Sequence, residues 1–263
     1  MIYQAVVELE EKNEAGALCI VVHTSGSTPR RAGSKMLVYP DGSFIGTVGG
    51  GELENRVIAE ALQSMQDGKP RMVEYSMAEP QRGDPGVCGG QMEVYVEPVL
   101  PKPEVLVIGC GHVGKAVAHL AKWLGYRVLV SDDRAELCTP EAIPEADAYY
   151  PELMQDLPNQ VKIKSWTNLV LTTRNVDVDV PGLSVLLGTP AGYIGVIGSR
   201  RRWEVTRQKL VEAGISAETL ERVHSPIGLD LGGETPEEIA LSIMAEIILA
   251  RSGKSATTSK LLK

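Results

Sequence analysis

Val105-Leu106-Val107-Ile108-Gly109-Cys110-Gly111-His112-Val113-Gly114 is an apolar run that feeds directly into G-x-G-x-x-G. An amphipathic segment, Lys115 to Leu124, follows, and a second apolar run ends in Ser131-Asp132-Asp133-Arg134. Strand, glycine turn, helix, strand and acid, in that order, describe a dinucleotide-binding unit. Gly109 permits the tight turn, Gly111 lets the backbone approach a phosphate, and Gly114 lets helix and strand pack closely. Asp132 is placed to accept from ribose hydroxyls. Arg134 is placed to reach a 2′-phosphate, so NAD and NADP both stay open. His112 stands in the loop, facing either a ligand or solvent. The bland alternative is a Rossmann fold whose nucleotide site has lapsed.

This unit begins only near residue 104. A chain of 263 residues suits one large domain or two modest ones, each with its own core. Pro98, Pro101 and Pro103 fall within six residues and predict a stiff linker over 99–103. It divides an N-terminal domain, 1–98, from a C-terminal domain, 104–252. In the first, Leu18–Val22, Lys35–Tyr39 and Gln91–Glu97 predict strands, with a turn at Pro40-Asp41-Gly42. Leu53, Val57, Ala61 and Met65 recur every fourth residue and predict a helix over 53–66. In the second, Asn168–Thr172, Ser184–Leu187 and Tyr193–Ile197 predict strands around a less regular span, Thr139 to Lys164. Ser199 is a candidate N-cap for a helix over 201–213 closed by Gly214. Thr235-Pro236-Glu237-Glu238 opens a last helix with Ile239, Ile243 and Ile247 on one face. The tail, 253–263, is rich in Ser, Thr and Lys and is expected to be disordered. The fold class is therefore α/β, an N-terminal α/β domain joined by a Pro-rich linker to a Rossmann-like parallel-sheet domain.

A net charge of −8 and a single Phe argue against nucleic acid as a partner. Ile239 to Ala250, the most apolar helical segment, is too short for a bilayer and carries Glu246. No basic segment followed by an apolar core opens the chain, so no membrane role and a cytoplasmic location are expected. The cysteines at 19, 88, 110 and 138 show no C-x-x-C pair and are read as reduced thiols.

Three further segments carry chemistry. Gly195-Val196-Ile197-Gly198-Ser199-Arg200-Arg201-Arg202 places three arginines at a helix N-terminus, against the helix dipole. A bound anion at Ser199 and Arg200 would reverse that cost, and a solvated basic turn is the alternative. Gly49-Gly50-Gly51 before a helix makes a nest of backbone amides, with Arg30, Arg31 and Lys35 as nearby charge and Glu52 and Glu54 as opposing charge. Cys88, in Cys88-Gly89-Gly90, is sterically open, and is either a reactive thiol or a small packing residue.

GSTPRRAGSKMLV, GTVGGGELE, CGG, GCGHVG after the linker, YIGVIGSRRR, PIGLDLGGETPEEIA and AEI occur in order between about residues 20 and 252. Together they resemble the xanthine dehydrogenase accessory (XdhC/CoxI) family. The resemblance implies a factor that binds molybdenum cofactor, as molybdopterin or its dinucleotide form, and assists its sulfuration. It also implies delivery to a molybdenum hydroxylase apo-enzyme, with a cysteine desulfurase and a second copy of the chain as candidate partners. Cys88 matches the family cysteine and would face the molybdenum or its sulfur, while no protein cluster ligates the metal. The expected binding set is Arg30, Arg31, Lys35, Gly49, Gly50, Gly51, Gly109, Gly111, His112, Gly114, Asp132, Arg134, Ser199 and Arg200, with NAD(P) as a second candidate nucleotide. The chain departs from the family at Thr172-Thr173-Arg174, where Thr-His is common. A rival from another class is an NAD(P)-dependent oxidoreductase with residues 1–98 as substrate domain. No Tyr-x-x-x-Lys supplies its proton donor. A nucleotide-sensing module without chemistry is the third reading.

Overall fold

The structure, a computed structural model, describes residues 1–76 and 89–252. The chain divides into two compact units, Met1–Pro101 and Lys102–Lys263. Among the described residues no helix is long and apolar enough to cross a membrane.

The first unit runs α1 (Ile2–Lys12), β1 (Gly16–Ser25), β2 (Lys35–Val38), β3 (Phe44–Gly46), α2 (Gly51–Asp67), β4 (Arg71–Ser76) and β5 (Gln91–Val99). Its antiparallel sheet has the order β3-β2-β1-β5-β4. Successive strand side chains face opposite ways, and both faces are apolar here. Ala17, Cys19, Val21, Met36 and Val38 pack under Leu53, Val57 and Ala61 of α2. Leu18 and Leu37 pack under Ala5 and Leu9 of α1. The sheet is therefore sandwiched between two helices, and the side of the sheet on which a residue lies follows from its parity.

The second unit runs β6 (Glu104–Ile108), α3 (His112–Trp123), β7 (Arg127–Ser131), β8 (Ala148–Tyr150), α4 (Leu157–Gln160), β9 (Thr167–Leu171), α5 (Val176–Leu186), β10 (Tyr193–Val196), α6 (Arg200–Glu212), α7 (Ala217–Leu220), β11 (Val223–His224) and α8 (Pro236–Ser252). The strands are parallel in the order β11-β10-β9-β6-β7-β8. Counted from β6, that is 3-2-1-4-5-6, the doubly wound order, with its switch point between β6 and β9. Val105 and Val107 pack toward α3 and α8, whereas Leu106 and Ile108 pack toward α5. The fold class read from the sequence is the one observed, an α/β chain with a Rossmann-like parallel-sheet domain.

One expected strand is a helix. Ser184–Leu187 lies in and just after α5, whose Asn175 side chain accepts from the Val178 N–H as N-cap. Leu183, Leu186 and Leu187 bury a single helical face. Pro181 and Gly182 lie inside the helix and weaken its local signal, and a short apolar run has no period of its own. Tertiary burial decides the outcome. The expected caps at α6 and α8 form: Ser199 Oγ accepts from Arg202 N–H, and Thr235 and Glu238 bond reciprocally.

Candidate functional site

At the switch point, β6 delivers the glycine loop to the carboxyl edge of the sheet. Gly109 has φ +110°, and a Cβ there would lie 2.6 Å from the Thr172 carbonyl oxygen. A Cβ at Gly114 would lie 1.9 Å from the Gly109 oxygen, so α3 crosses the loop at a distance only glycine permits. Gly111 has open space around it at the N-terminus of α3, which is where a phosphate would approach. His112 is exposed on α3 and lines an open pocket of about 500 Å³ beside Lys115 and His119.

Asp132 does not present a free carboxylate. Its Oδ2 accepts from Cys110 N–H at 2.6 Å and from Arg134 Nη2 at 2.9 Å, and its Oδ1 accepts from Arg134 N and Nε at 3.0 and 2.9 Å. The side chain is 1% exposed. Asp132 thus ties the end of β7 to the glycine loop, and Arg134 is the lid on that tie. Next to it, Asp133 receives two hydrogen bonds from Arg174, at 2.7 and 2.6 Å. The Arg174 guanidinium holds the Asp133 carboxyl down to about 2. These side chains, with Gly109 and Thr173, line a pocket of about 260 Å³. The fully buried Ser131 hydroxyl is also at its wall and finds no partner among the described residues. Sequence reading named Asp133 beside Asp132 and Arg174 as a departure from the family, but gave neither a place in the site. The available signal was their position, each just beyond the carboxyl end of a central strand.

The arginines after Ser199 separate into two kinds. Arg200 and Arg201 are exposed in the first turn of α6. Arg202 turns inward and donates to Asp179 Oδ2 through Nε at 3.1 Å and Nη2 at 2.6 Å, and to Thr173 O and Oγ1 at 3.0 Å each. Asp179 is fully buried and also accepts from the Thr173 hydroxyl. Arg202 is therefore a strut between α5, α6 and the end of β9. Ser199 Oγ is committed to its cap, while Arg200 remains open to solvent.

In the first unit, three separated segments meet at one end of the sheet. The register pairs Ser25 at the end of β1 with Gln91 at the start of β5. Gly90 packs so closely on this turn that a Cβ would lie 2.3 Å from the Ser27 oxygen. The glycine nest touches the same loop, since a Cβ at Gly49 would lie 2.8 Å from Pro29. Gly49, Gly50 and Gly51 have φ of 157°, 89° and 62°, and the last two have nothing within 4 Å of a built Cβ. Arg30 and Arg31 are exposed, and among the described residues neither finds a carboxylate. The opposing charge is turned aside: Glu54 accepts from the Thr47 hydroxyl, and Glu52 pairs with Arg56 at 3.3 Å.

Lys35 goes elsewhere. It shares the α1 side of β2 with Leu37, donates to the Gly33 carbonyl at 2.9 Å and lies 5.5 Å from the Tyr3 ring centre. The nest opens α2 on the other side of the sheet, so the structure does not bring Lys35 to it. Cys88 lies outside the described residues. Cys19 is in the sheet core, where burial pushes its thiol up to about 12.

Known proteins give this geometry a family. Residues 105–247 match the XdhC Rossmann domain and residues 9–76 match the XdhC and CoxI family. The chain is 35% identical over 255 residues to Uncharacterized protein YqeB of Escherichia coli (strain K12), covering 95% of this chain and 46% of that protein. It thus spans less than half the length of that relative. It is 23% identical over 279 residues to the molybdenum cofactor insertion chaperone PaoD of the same organism, covering 95% of this chain and 88% of PaoD. A crystal structure of a xanthine dehydrogenase from Bacillus halodurans shares the fold, with a TM-score of 0.52 at 21% identity over 98% of this chain and 97% of that one. Two domain matches in the family's order, on a glycine nest followed by a doubly wound sheet, make this chain a member of the XdhC and CoxI family.

Proposed function

We propose that this protein binds molybdenum cofactor and delivers it to a molybdenum hydroxylase of the xanthine dehydrogenase type, assisting sulfuration on the way. The observation that carries the reading is the likeness to PaoD, a molybdenum cofactor insertion chaperone, across 95% of this chain and 88% of that one. The first unit fits the phosphate end of such a ligand. Successive open glycines at the N-terminus of a 17-residue helix direct backbone N–H groups at an anion. Arg30 and Arg31 add two charges that no described carboxylate neutralises. Glu52 and Glu54, the groups that would repel a phosphate, are held by Arg56 and Thr47.

Bound there, the cofactor would supply a soft molybdenum centre, for which a thiolate such as Cys88 is a suitable neighbour. The chain's own residues bind, orient and shield. Gly90 is fixed against Ser25 and Ser27, so β5 begins beside the arginine loop. In the second unit, the Gly109–Gly114 loop and the Asp133–Arg174 pocket are a nucleotide site, for the dinucleotide form of the cofactor or for NAD(P). A soluble, cytoplasmic carrier fits this role.

The reading is tested by producing a xanthine dehydrogenase-type hydroxylase with and without this chain. Molybdenum content and activity of the purified hydroxylase should rise with the chain and fall back with Cys88→Ser. Equal hydroxylase loading in both cultures would remove the delivery role, and full maturation with Cys88→Ser would remove the thiol from it.

A further inference from the structure

Two carboxylates follow β7, and they end in different states. A carboxylate offers about four acceptor sites. Asp132 has its sites filled, by the Cys110 N–H and by three donors of Arg134. Asp133 accepts from Arg174 once on each oxygen, at 2.7 and 2.6 Å, which leaves room for a second donor on each. Its side chain is 23% exposed, against 1% for Asp132. The acid placed to read a ligand is therefore the second of the pair.

The pocket of about 260 Å³ beside Asp133 has an apolar side made by Met154, Val178 and Pro181. It falls short of the roughly 300–1,000 Å³ that takes a whole drug-sized ligand, and suits one nucleoside rather than a dinucleotide. Ser131 is a separate sign of a ligand. Leu129 packs toward α5 and Val130 toward α3, so strand parity sends Ser131 to the α5 side, where the pocket lies. Its hydroxyl is buried and has no partner among the described residues. Buried hydroxyls are normally satisfied, and a polar ligand atom at the pocket wall would satisfy this one. Building on the nucleotide site proposed above for the second unit, we propose that this pocket seats a nucleoside with its free 2′,3′-diol on Asp133, and that it refuses a 2′-phosphate.

Charge decides against the phosphate. Asp132, Asp133, Glu152 and Asp177 line the pocket, with Arg134 and Arg174 as the lining cations. Lys209 approaches Asp177 from α6 at 3.4 Å, and carboxylates still outnumber cations. Each lining arginine already holds a carboxylate. A 2′-phosphate would have to take a guanidinium from its acid and leave that acid facing more negative charge. A neutral diol asks for neither, because it donates to the open sites of Asp133. The Arg174 guanidinium holds that carboxyl down to about 2, so it is ionised and accepting at neutral pH. NADP, open on the sequence, is thereby disfavoured.

The full chain is titrated by calorimetry with the ribonucleoside 5′-diphosphates of adenine, cytosine and guanine. The tightest of the three is then compared with its 2′-deoxy and 2′-phospho forms. The 2′-deoxy form should bind about ten- to a hundredfold more weakly, the loss of one hydrogen bond to a charged group. The 2′-phospho form should lose at least as much. Asp133→Asn should erase most of the difference between ribo and deoxy forms and bind the 2′-phospho form more tightly than wild type does. Tightest binding of the adenine compound supports the proposal with an NAD-type ligand; tightest binding of either other base supports it with the dinucleotide form of the cofactor. Equal affinity of wild type for ribo and deoxy forms, or a 2′-phospho form that binds as tightly as its parent, would overturn the role of Asp133 and leave the nucleotide site standing. No binding of any of the three diphosphates would overturn the site and its selectivity together, while the delivery role keeps its own test in hydroxylase loading.

Discussion

Asp179 has no exposed surface, and the Arg202 guanidinium is the charge that balances it. Breaking a buried pair from one side leaves an uncompensated charge, which costs about 3–5 kcal/mol. Arg202→Ala should therefore lose that much stability in urea denaturation. Arg201→Ala, on the same helix but exposed, should stay within about 0.5 kcal/mol of wild type. Similar losses for both variants would contradict the division of the three arginines into strut and surface. Asp133 offers a test by pH. Its carboxyl is held at about 2 by Arg174, below the ordinary 3.8. A depressed carboxylate stabilises the fold above its unfolded value, so the contribution is complete above about pH 4 and fades as pH falls through 2. With side chains 23% and 44% exposed, screening limits it to about 1 kcal/mol. Arg174→Met should melt about 3 °C below wild type at pH 7, with the gap closing by pH 2. A gap that persists at pH 2 would assign the effect to packing.

At the scale of elements, the glycine loop depends on one close crossing. A Cβ at Gly114 meets the Gly109 backbone oxygen at 1.9 Å, and backbone cannot swing aside as a side chain can. Gly114→Ala should destabilise the second unit by about 2–4 kcal/mol in denaturant unfolding; a neutral effect would contradict the crossing geometry. This loop was legible in the sequence because strand, turn and helix are consecutive, and each local preference agrees with the fold. The α2 helix was legible for the same reason, through Leu53, Val57 and Ala61. The meeting of the arginine loop, the glycine nest and Gly90 was not. It is set by the pairing of Ser25 with Gln91, a contact between distant segments that no local pattern records. Lys35 shows the converse: its charge suggested the nest, but strand parity carries it to the α1 side. Asp132 was correctly placed at the end of β7. Its saturation by Arg134 and the loop amide depends on a turn whose shape the sequence does not dictate.

At the scale of the molecule, each unit has its own core: one sheet between α1 and α2, the other between α3 with α8 and α5 with α6. Residues 102–252 expressed alone should therefore unfold in a single cooperative transition, and a gradual, non-cooperative melt would contradict that independence. The proposed anion sites are likewise distributed: in the first unit a glycine nest with Arg30 and Arg31, which pair with no carboxylate among the described residues, and in the second unit the glycine loop. The central claim is that the first of these holds a phosphorylated pterin carrying molybdenum. It is tested most directly by purifying the chain from cells that make molybdenum cofactor, oxidising the extract in acid, and measuring pterin fluorescence and molybdenum together. Wild type should carry both, and Arg30→Glu with Arg31→Glu should fold and carry neither. A well-folded wild-type chain without pterin or molybdenum would contradict the account, as would a charge-reversed chain that retains as much of both.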